Sequence, residues 1–363
     1  MSSAIDSMLN FFGGSTDGSS IGLLIAVVIA ALVVFTIMAL MAIVAVYFER
    51  KVSAFMQDRI GPMEVGIFGF KGGKKFWGGI GQTLADTVKL PVKEDILPKE
   101  ADKKLMIMAP FIIFIASFLT FIGVPLSSNL VISDFNIGIF YVMAAGSMGV
   151  IGIILAGWSS NNKWSLYGAL RSAAQIISYE IPIGLSLLLV VIVVGSLNFG
   201  DIVAWQGEHR WFFIHSPFAF LAFVTYVIAG VAETNRTPFD IPEAESELVA
   251  GWMTEYSGFR WSIFFMSEYA NVLIISIIAS VVFLGGWLSP LSIFGLHLSW
   301  LEGPVWGLFW IFTKAVFFIF VMMWFRWTFP RLRVDQLMYF CWKILIPFAL
   351  VNLILISAME LIF

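Results

Sequence analysis

Cysteine and histidine are nearly missing from this chain: its 363 residues include one Cys, Cys341, and three His, His209, His215 and His297. An iron–sulfur cluster typically takes four Cys ligands, and haem takes His or a comparable axial ligand, so any electron reaching this chain arrives from another subunit. The histidines are too scattered to announce a metal site and read as ordinary structural residues. No GxGxxG fingerprint or GxxxxGK(S/T) phosphate loop follows a strand pattern, which leaves nucleotide binding without a sequence basis. Charge is sparse as well. Only 12% of residues are charged and the net charge is −3, so there is no basic field for nucleic acid.

What remains is apolar: 60% hydrophobic and 16% aromatic residues, with a mean hydropathy of +0.92. Such a chain is an all-α integral membrane protein, because in lipid each helix satisfies its own backbone polar groups. Runs of about 20 apolar residues cross a bilayer as helices. Eight are visible, at Ile21–Val46, Leu105–Val124, Gly138–Gly157, Ile181–Leu197, Pro217–Ala232, Ser262–Trp287, Gly303–Phe325 and Phe340–Phe363. The first is too long for a signal-peptide core, and its leader carries Asp6 and Asp17 but no Lys or Arg, so it is expected to remain as a span. The whole chain, 1–363, reads as one polytopic domain with two cytoplasmic loops of interest, 47–104 and 233–261.

Of the 21 Lys and Arg, 19 fall in loops that follow odd-numbered spans; Arg210 lies on the other side and Lys314 inside a span. The positive-inside rule therefore points those loops to the cytoplasm and both termini outward, to the periplasmic side of a plasma (inner) membrane. Tyr47, Trp158, Trp164, Trp261, Trp287, Trp300, Trp327 and Trp342, near span ends, fit an interfacial belt.

In loop 47–104, Trp77, Ile80, Leu84 and Val88 recur at helical spacing, with Gln82, Asp86 and Lys89 on another face. That pattern predicts an amphipathic helix lying in the interface, able to roof a lipid-accessible cavity. The alternative is a solvated basic loop drawn to anionic lipid.

Carboxylates crowd the other loop. Between Ala232 and Tyr256 stand Glu233, Asp240, Glu243, Glu245, Glu247 and Glu255, against one base, Arg236. Crowding and partial desolvation favour proton uptake near neutral pH, so the segment reads first as proton chemistry. In a helix Glu243 and Glu247 share a face at i and i+4, whereas Glu245 points elsewhere. Inside the spans, Glu180 and Glu268 are expected near the cytoplasmic ends of spans four and six, at a depth similar to Glu233, where a hydrated relay would join them. Lys314 is the deeper candidate for the same relay, with a purely structural ion pair as the competing reading.

At these residues a resemblance becomes specific. The run from Glu233 through Thr-Asn-Arg-Thr-Pro-Phe-Asp-Ile-Pro-Glu-Ala-Glu-Ser to Glu247 and Leu248, with Thr254-Glu255-Tyr256, resembles the H subunit of respiratory complex I. Further motifs in order are Glu49-Arg50-Lys51, Gln57-Asp58-Arg59-Ile60-Gly61-Pro62, Leu84-Ala85-Asp86, Gly157-Trp158-Ser159-Ser160-Asn161, Leu170-Arg171-Ser172, Ser178-Tyr179-Glu180 and Pro330 to Gln336. The likeness covers nearly the whole chain.

The resemblance implies the quinone-site membrane subunit of a proton-translocating NADH:quinone oxidoreductase, inactive alone. It implies quinone (ubiquinone or menaquinone) as substrate with no covalently bound cofactor, and iron–sulfur clusters and FMN on partner subunits. The partners would be hydrophilic cluster-bearing and quinone-site subunits on the cytoplasmic side, small membrane subunits, antiporter-like subunits, and lipid. By matching motifs, Arg59, Asp86, Arg236 and Asp240 would line the quinone tunnel. Glu233, Glu243, Glu245 and Glu247 would form the coupling loop, and Glu180, Glu233 and Glu268 the acidic path toward the antiporter-like subunits.

Two departures stand out: Met63-Glu64-Val65-Gly66 replaces the usual Asn-Arg-Val-Gly and precedes a Gly- and Lys-rich insertion, and Ser147 stands where some members carry an acid. Alternative readings are the homologous membrane anchor of an energy-converting hydrogenase, formate hydrogenlyase or coenzyme-F420 dehydrogenase, and an independent proton-coupled transporter. The transporter reading would lean on Glu268 and Lys314, but no clear internal repeat supports it.

Overall fold

A computed structural model describes residues 20–63, 79–128, 130–242, 245–294 and 303–362, without the side chains of 20–26, 245–246, 294 and 304. Expectations placed on Glu64, Trp77, Glu243, His297, Trp300 and the Gly- and Lys-rich stretch lie outside these residues, as does the side chain of Glu245.

The described chain is helical throughout its regular structure: α1 Ser20–Met56, α2 Ile80–Val92, α3 Lys103–Gly123, α4 Gly138–Ser159, α5 Lys163–Val194, α6 Phe199–Glu208, α7 Pro217–Glu233, the short α8 Glu245–Leu248, α9 Gly258–Phe283, α10 Pro304–Thr328 and α11 Val334–Ile362. Seven of them, α1, α3, α4, α5, α9, α10 and α11, are long and apolar enough to cross a membrane. The fifth expected span, α7, is apolar but has 17 residues. At 1.5 Å per residue that is about 26 Å, the short end of what reaches across a hydrocarbon core.

Local chemistry sets the starts. Asp102 accepts from the Lys104 and Leu105 amides at α3, Asn162 from the Trp164 amide at α5, and Ser216 from the Ala219 amide at α7, where Pro217 occupies the first turn. Two helices run well past their apolar stretches. The first continues beyond Val46 to Met56, and α5 begins at Lys163 rather than Ile181. Hydropathy marks the lipid-crossing portion only, whereas the backbone ladder continues wherever polar side chains such as Glu49, Arg50 and Gln175 find partners in the protein.

The centre of the bundle is α9. In its most apolar stretch 78% of residues are buried, against 22% in α1 and in α11, so α9 is surrounded by protein while those two face outward. It packs on α1, α2, α3, α7 and α10. One end of the bundle collects the C-termini of α1, α4, α7 and α10 together with α2. There the Asp102 amide donates to Ser159 O, and Leu332 N to Pro238 O. A second aromatic core at this end joins Trp252, Tyr256 and Phe264 to Met106 and Ala109. Close approach of α5 to the Gly251–Met253 turn requires Gly168, where a Cβ would lie 2.7 Å from the Gly251 backbone.

Candidate functional site

The acid-rich segment after α7 folds against the bundle rather than standing free. Thr234 closes the last turn of α7 onto Gly230 O, and Asn235 takes a left-handed conformation with φ of 51°. Gln175, buried in α5, then stitches the segment down, its Nε2 donating to Ala232 O, Asn235 Oδ1 and Phe239 O. The result is that Arg236 and Asp240 are buried beside α1, α9 and α10.

Glu49, at the end of α1, is the hub. It accepts a 2.5 Å hydrogen bond from the Tyr269 hydroxyl, a hydrogen bond from Arg326, and a 3.5 Å contact from Arg236 Nη1. Arg236 stacks over the Tyr269 ring at 4.5 Å and lies 3.8 Å from Glu268 Oε1. Burial works against the charge of Arg236, but Tyr269, Glu49 and Glu268 more than offset it and hold the guanidinium firmly protonated. Next to this cluster Arg331 reaches Asp240 Oδ2 at 3.2 Å.

Two of the remaining described acids also find partners, at the start of α5 and within it. Glu247 pairs with Arg171 at 2.7 Å, and Glu255 accepts from Asn162 at 2.6 Å. The segment contains a single base, yet the fold brings Arg171 and Arg331 to it. Glu233 and Glu180 are partly buried and near enough for their charges to interact, and they form a second acidic group beside the first. In the neighbouring aromatic core the Tyr256 phenol is pushed up to about 12 by burial, against the pull of Ser159 and Arg260.

A cavity of about 810 Å³ opens between α1, α2, α3 and α9. Its walls are largely apolar, with Phe35, Val46, Phe111, Phe114, Phe265 and Met266 among them, and its polar edge carries Arg50, Thr83 and Asp86. Arg50 and Asp86 form a 2.6 Å ion pair. Val46 and Met266 precede Glu49 and Tyr269 by three residues, one helical turn, so the cavity and the charged hub share two walls.

The four residues expected to line a tunnel therefore divide. Asp86 edges the cavity, and the exposed Arg59 edges an adjacent recess with Arg50 and Pro62. Arg236 and Asp240 sit in the buried cluster beyond the wall. The helix expected from the apolar repeat is present as α2, but Leu84, Val88 and Val92 face outward while Gln82 and Asp86 hydrogen-bond to each other at 3.1 Å and Asp86 turns to Arg50.

Lys314 is not joined to Glu268. Its Nζ donates to Leu284 O at 2.7 Å and to Gly286 O and Leu288 O at 2.8 Å, and it lies 4.2 Å from the Trp211 ring. It thus caps the far end of α9, with backbone carbonyls as its hydrogen-bond partners. His209 and His215 pack on Trp205 at that same end, with His215 3.3 Å from Glu360.

Comparison with known proteins bears on this arrangement. The model of the NADH dehydrogenase family matches residues 28–357. The NADH-quinone oxidoreductase H subunit of Chlorobaculum tepidum is 51% identical over 96% of each chain. The chain belongs to the H-subunit family of NADH-quinone oxidoreductase. The corresponding H subunits of Bacteroides fragilis, 48% identical over 90% of this chain and 89% of that protein, and of Geobacillus kaustophilus, 44% identical over 94% and 93%, agree. As a member of that family the chain is a multi-pass membrane component of an oxidoreductase complex.

In this NADH-quinone oxidoreductase component, motif reading missed Glu49, Tyr269 and Arg326 as site residues. Glu49 was visible only as part of a Glu-Arg-Lys triplet beyond an apolar run, and Arg326 as one of several bases after span seven. Tyr269 carried no signal at all, since a Tyr in an apolar helix is ordinarily core.

Proposed function

We propose that the cavity between α1, α2, α3 and α9 admits a membrane quinone, and that the charged cluster beside it couples quinone reduction to proton movement. The observation that carries this reading is the apolar volume of about 810 Å³ with one ion-paired polar edge, one helical turn from a buried hub of alternating charges. A greasy ligand with a polar head fits such a site. Electrons would come from clusters on a hydrophilic partner docked at the end bearing α2 and the acid loop, an end the 19 basic residues assign to the cytoplasm. Reduction changes the charge and proton demand near Arg50 and Asp86. The shared walls would pass that change to Glu49, Arg236 and Glu268, and then to Glu233 and Glu180 and the neighbouring membrane subunits.

A photoreactive azidoquinone added to the assembled complex tests the site. Label should fall on peptides of α1, α2, α3 and the first half of α9; label confined to other helices would refute the assignment. For the coupling route, Glu233→Gln should leave quinone reduction largely intact and slow the proton-coupled rate by roughly 10²-fold, the low end of what a positioned proton-transfer group contributes. Glu180→Gln should behave alike. Proton uptake in sealed vesicles, read beside NADH oxidation, would count against the route if both rates stayed at wild-type values.

A further inference from the structure

Little packing holds α2 in place. Of its own residues only Gly81 and Thr83 are buried, while Leu84, Val88 and Val92 are 37%, 66% and 81% exposed. Beside its contacts with α1 and α9, two polar attachments hold it over the cavity, the Arg50–Asp86 pair and a strap just past its C-terminus.

The strap is built on Asp95 and Arg260. Arg260 Nε donates to both Asp95 oxygens, at 2.9 and 2.8 Å, and Nη2 donates to Oδ1 at 2.5 Å and to Ile96 O at 3.4 Å. Ser257 Oγ donates to Glu94 O and accepts from Ile96 N, each at 3.2 Å. Gly258, at φ +58°, comes so close to Lys93 O that a Cβ would lie 2.9 Å from it. Lys93, Ser257 and Gly258 are themselves cavity walls, so the strap is the seam where the end of α2 meets the start of α9.

An exposed ion pair stabilises little, but this one is half interior. The Arg260 side chain is 5% exposed and that of Asp95 41%. Arg260 Nη1 is buried with no hydrogen-bond partner among the described residues, so Asp95 is the carboxylate that offsets the guanidinium. Three hydrogen bonds across a planar fork also fix direction, which a single contact would not.

We propose that Asp95 and Arg260 are a positioning pair that clasps α2 across the cavity and sets how tightly the quinone is held there. The pair does not touch the reacting head; it acts through the wall it closes. This rests on the reading of the cavity as the quinone site, and the test separates the two.

Steady-state quinone reduction by the assembled complex in membranes is measured with a short-chain and a long-chain quinone. Asp95→Asn and Arg260→Gln should each raise KM roughly tenfold, equivalent to about 1.4 kcal/mol, with kcat retained and the larger rise for the long chain. Arg260→Lys should recover part of the loss. The double variant should be no worse than the poorer single one, because both remove the same contact. If the neutral variants fail to assemble, Asp95→Glu poses the same question, since it keeps the charge and displaces the fork; a raised KM supports the clasp and an unchanged KM overturns it. Assembled Asp95→Asn with unchanged KM, or with loss confined to kcat, also overturns it. Met266→Trp, which fills the cavity, is the control. If it raises KM while the Asp95 and Arg260 variants do not, the clasp alone fails. If it too changes nothing, the quinone-cavity reading fails.

Discussion

Glu49→Ala is expected to destabilise the assembled chain by about 3–5 kcal/mol, the range for removing one member of a buried ion pair. The Glu49 side chain is 8% exposed and balances two guanidiniums, of which Arg236 is equally buried and Arg326 is 30% exposed. Deleting the carboxylate leaves these cations facing each other with Glu268 as the remaining close anion, and leaves the Tyr269 hydroxyl without its acceptor. Desolvation that the ion pair had offset is then uncompensated. Glu49→Gln keeps an acceptor for Tyr269 but loses the charge, so it should fall between wild type and Ala. The midpoint of thermal inactivation of the detergent-solubilised complex is the measurement. An Ala variant that inactivates at the wild-type temperature would mean that the hub is not an energetic unit. Quinone reduction should fall in the same series, because the hub shares its walls with the cavity.

The second large effect is expected at the other end of α9. Replacing Lys314 by Met removes an ammonium that donates to three carbonyls, those of Leu284, Gly286 and Leu288. Each buried acceptor left unmade costs about 1–3 kcal/mol, and the Trp211 face loses its cation as well. Assembly or thermal stability should drop sharply. Along α9, residues 268 and 284 are 16 positions apart, about 24 Å at 1.5 Å per residue, so the coupling cluster should not feel the loss directly. Complex that does assemble should therefore move protons per electron as wild type does. A stable Lys314→Met complex with a reduced proton ratio would restore Lys314 to the proton route.

How much of this was legible beforehand differs by feature. Hydropathy located every long span, because transfer into lipid is an additive property of local composition. It set α5 to begin at Ile181 and α1 to end at Val46, since amphipathic extensions buried against other protein carry no apolar signal; Gln175, Arg171 and Glu49 lie in those extensions. The repeat Ile80, Leu84, Val88 correctly announced α2, but not that its polar face would be the one turned to the cavity through Asp86 and Arg50. The acid loop was legible as a concentration of carboxylates, and its crowding looked like repulsion because only Arg236 was near in sequence.

Composition and the order of motifs were thus enough to identify a helical membrane subunit of this family and to nominate most of its acids. Which bases those acids meet could not be read that way. Arg171 and Arg331 come from α5 and from the segment just after α10, and each lies within 4 Å of its carboxylate only once the bundle has closed. Tertiary packing likewise set Lys314 on the carbonyls that end α9 and drew Asp95 onto Arg260. The reason is one of range: burial of a segment is decided by its own residues, whereas the partner of a buried charge is decided by whichever distant helix the packing delivers.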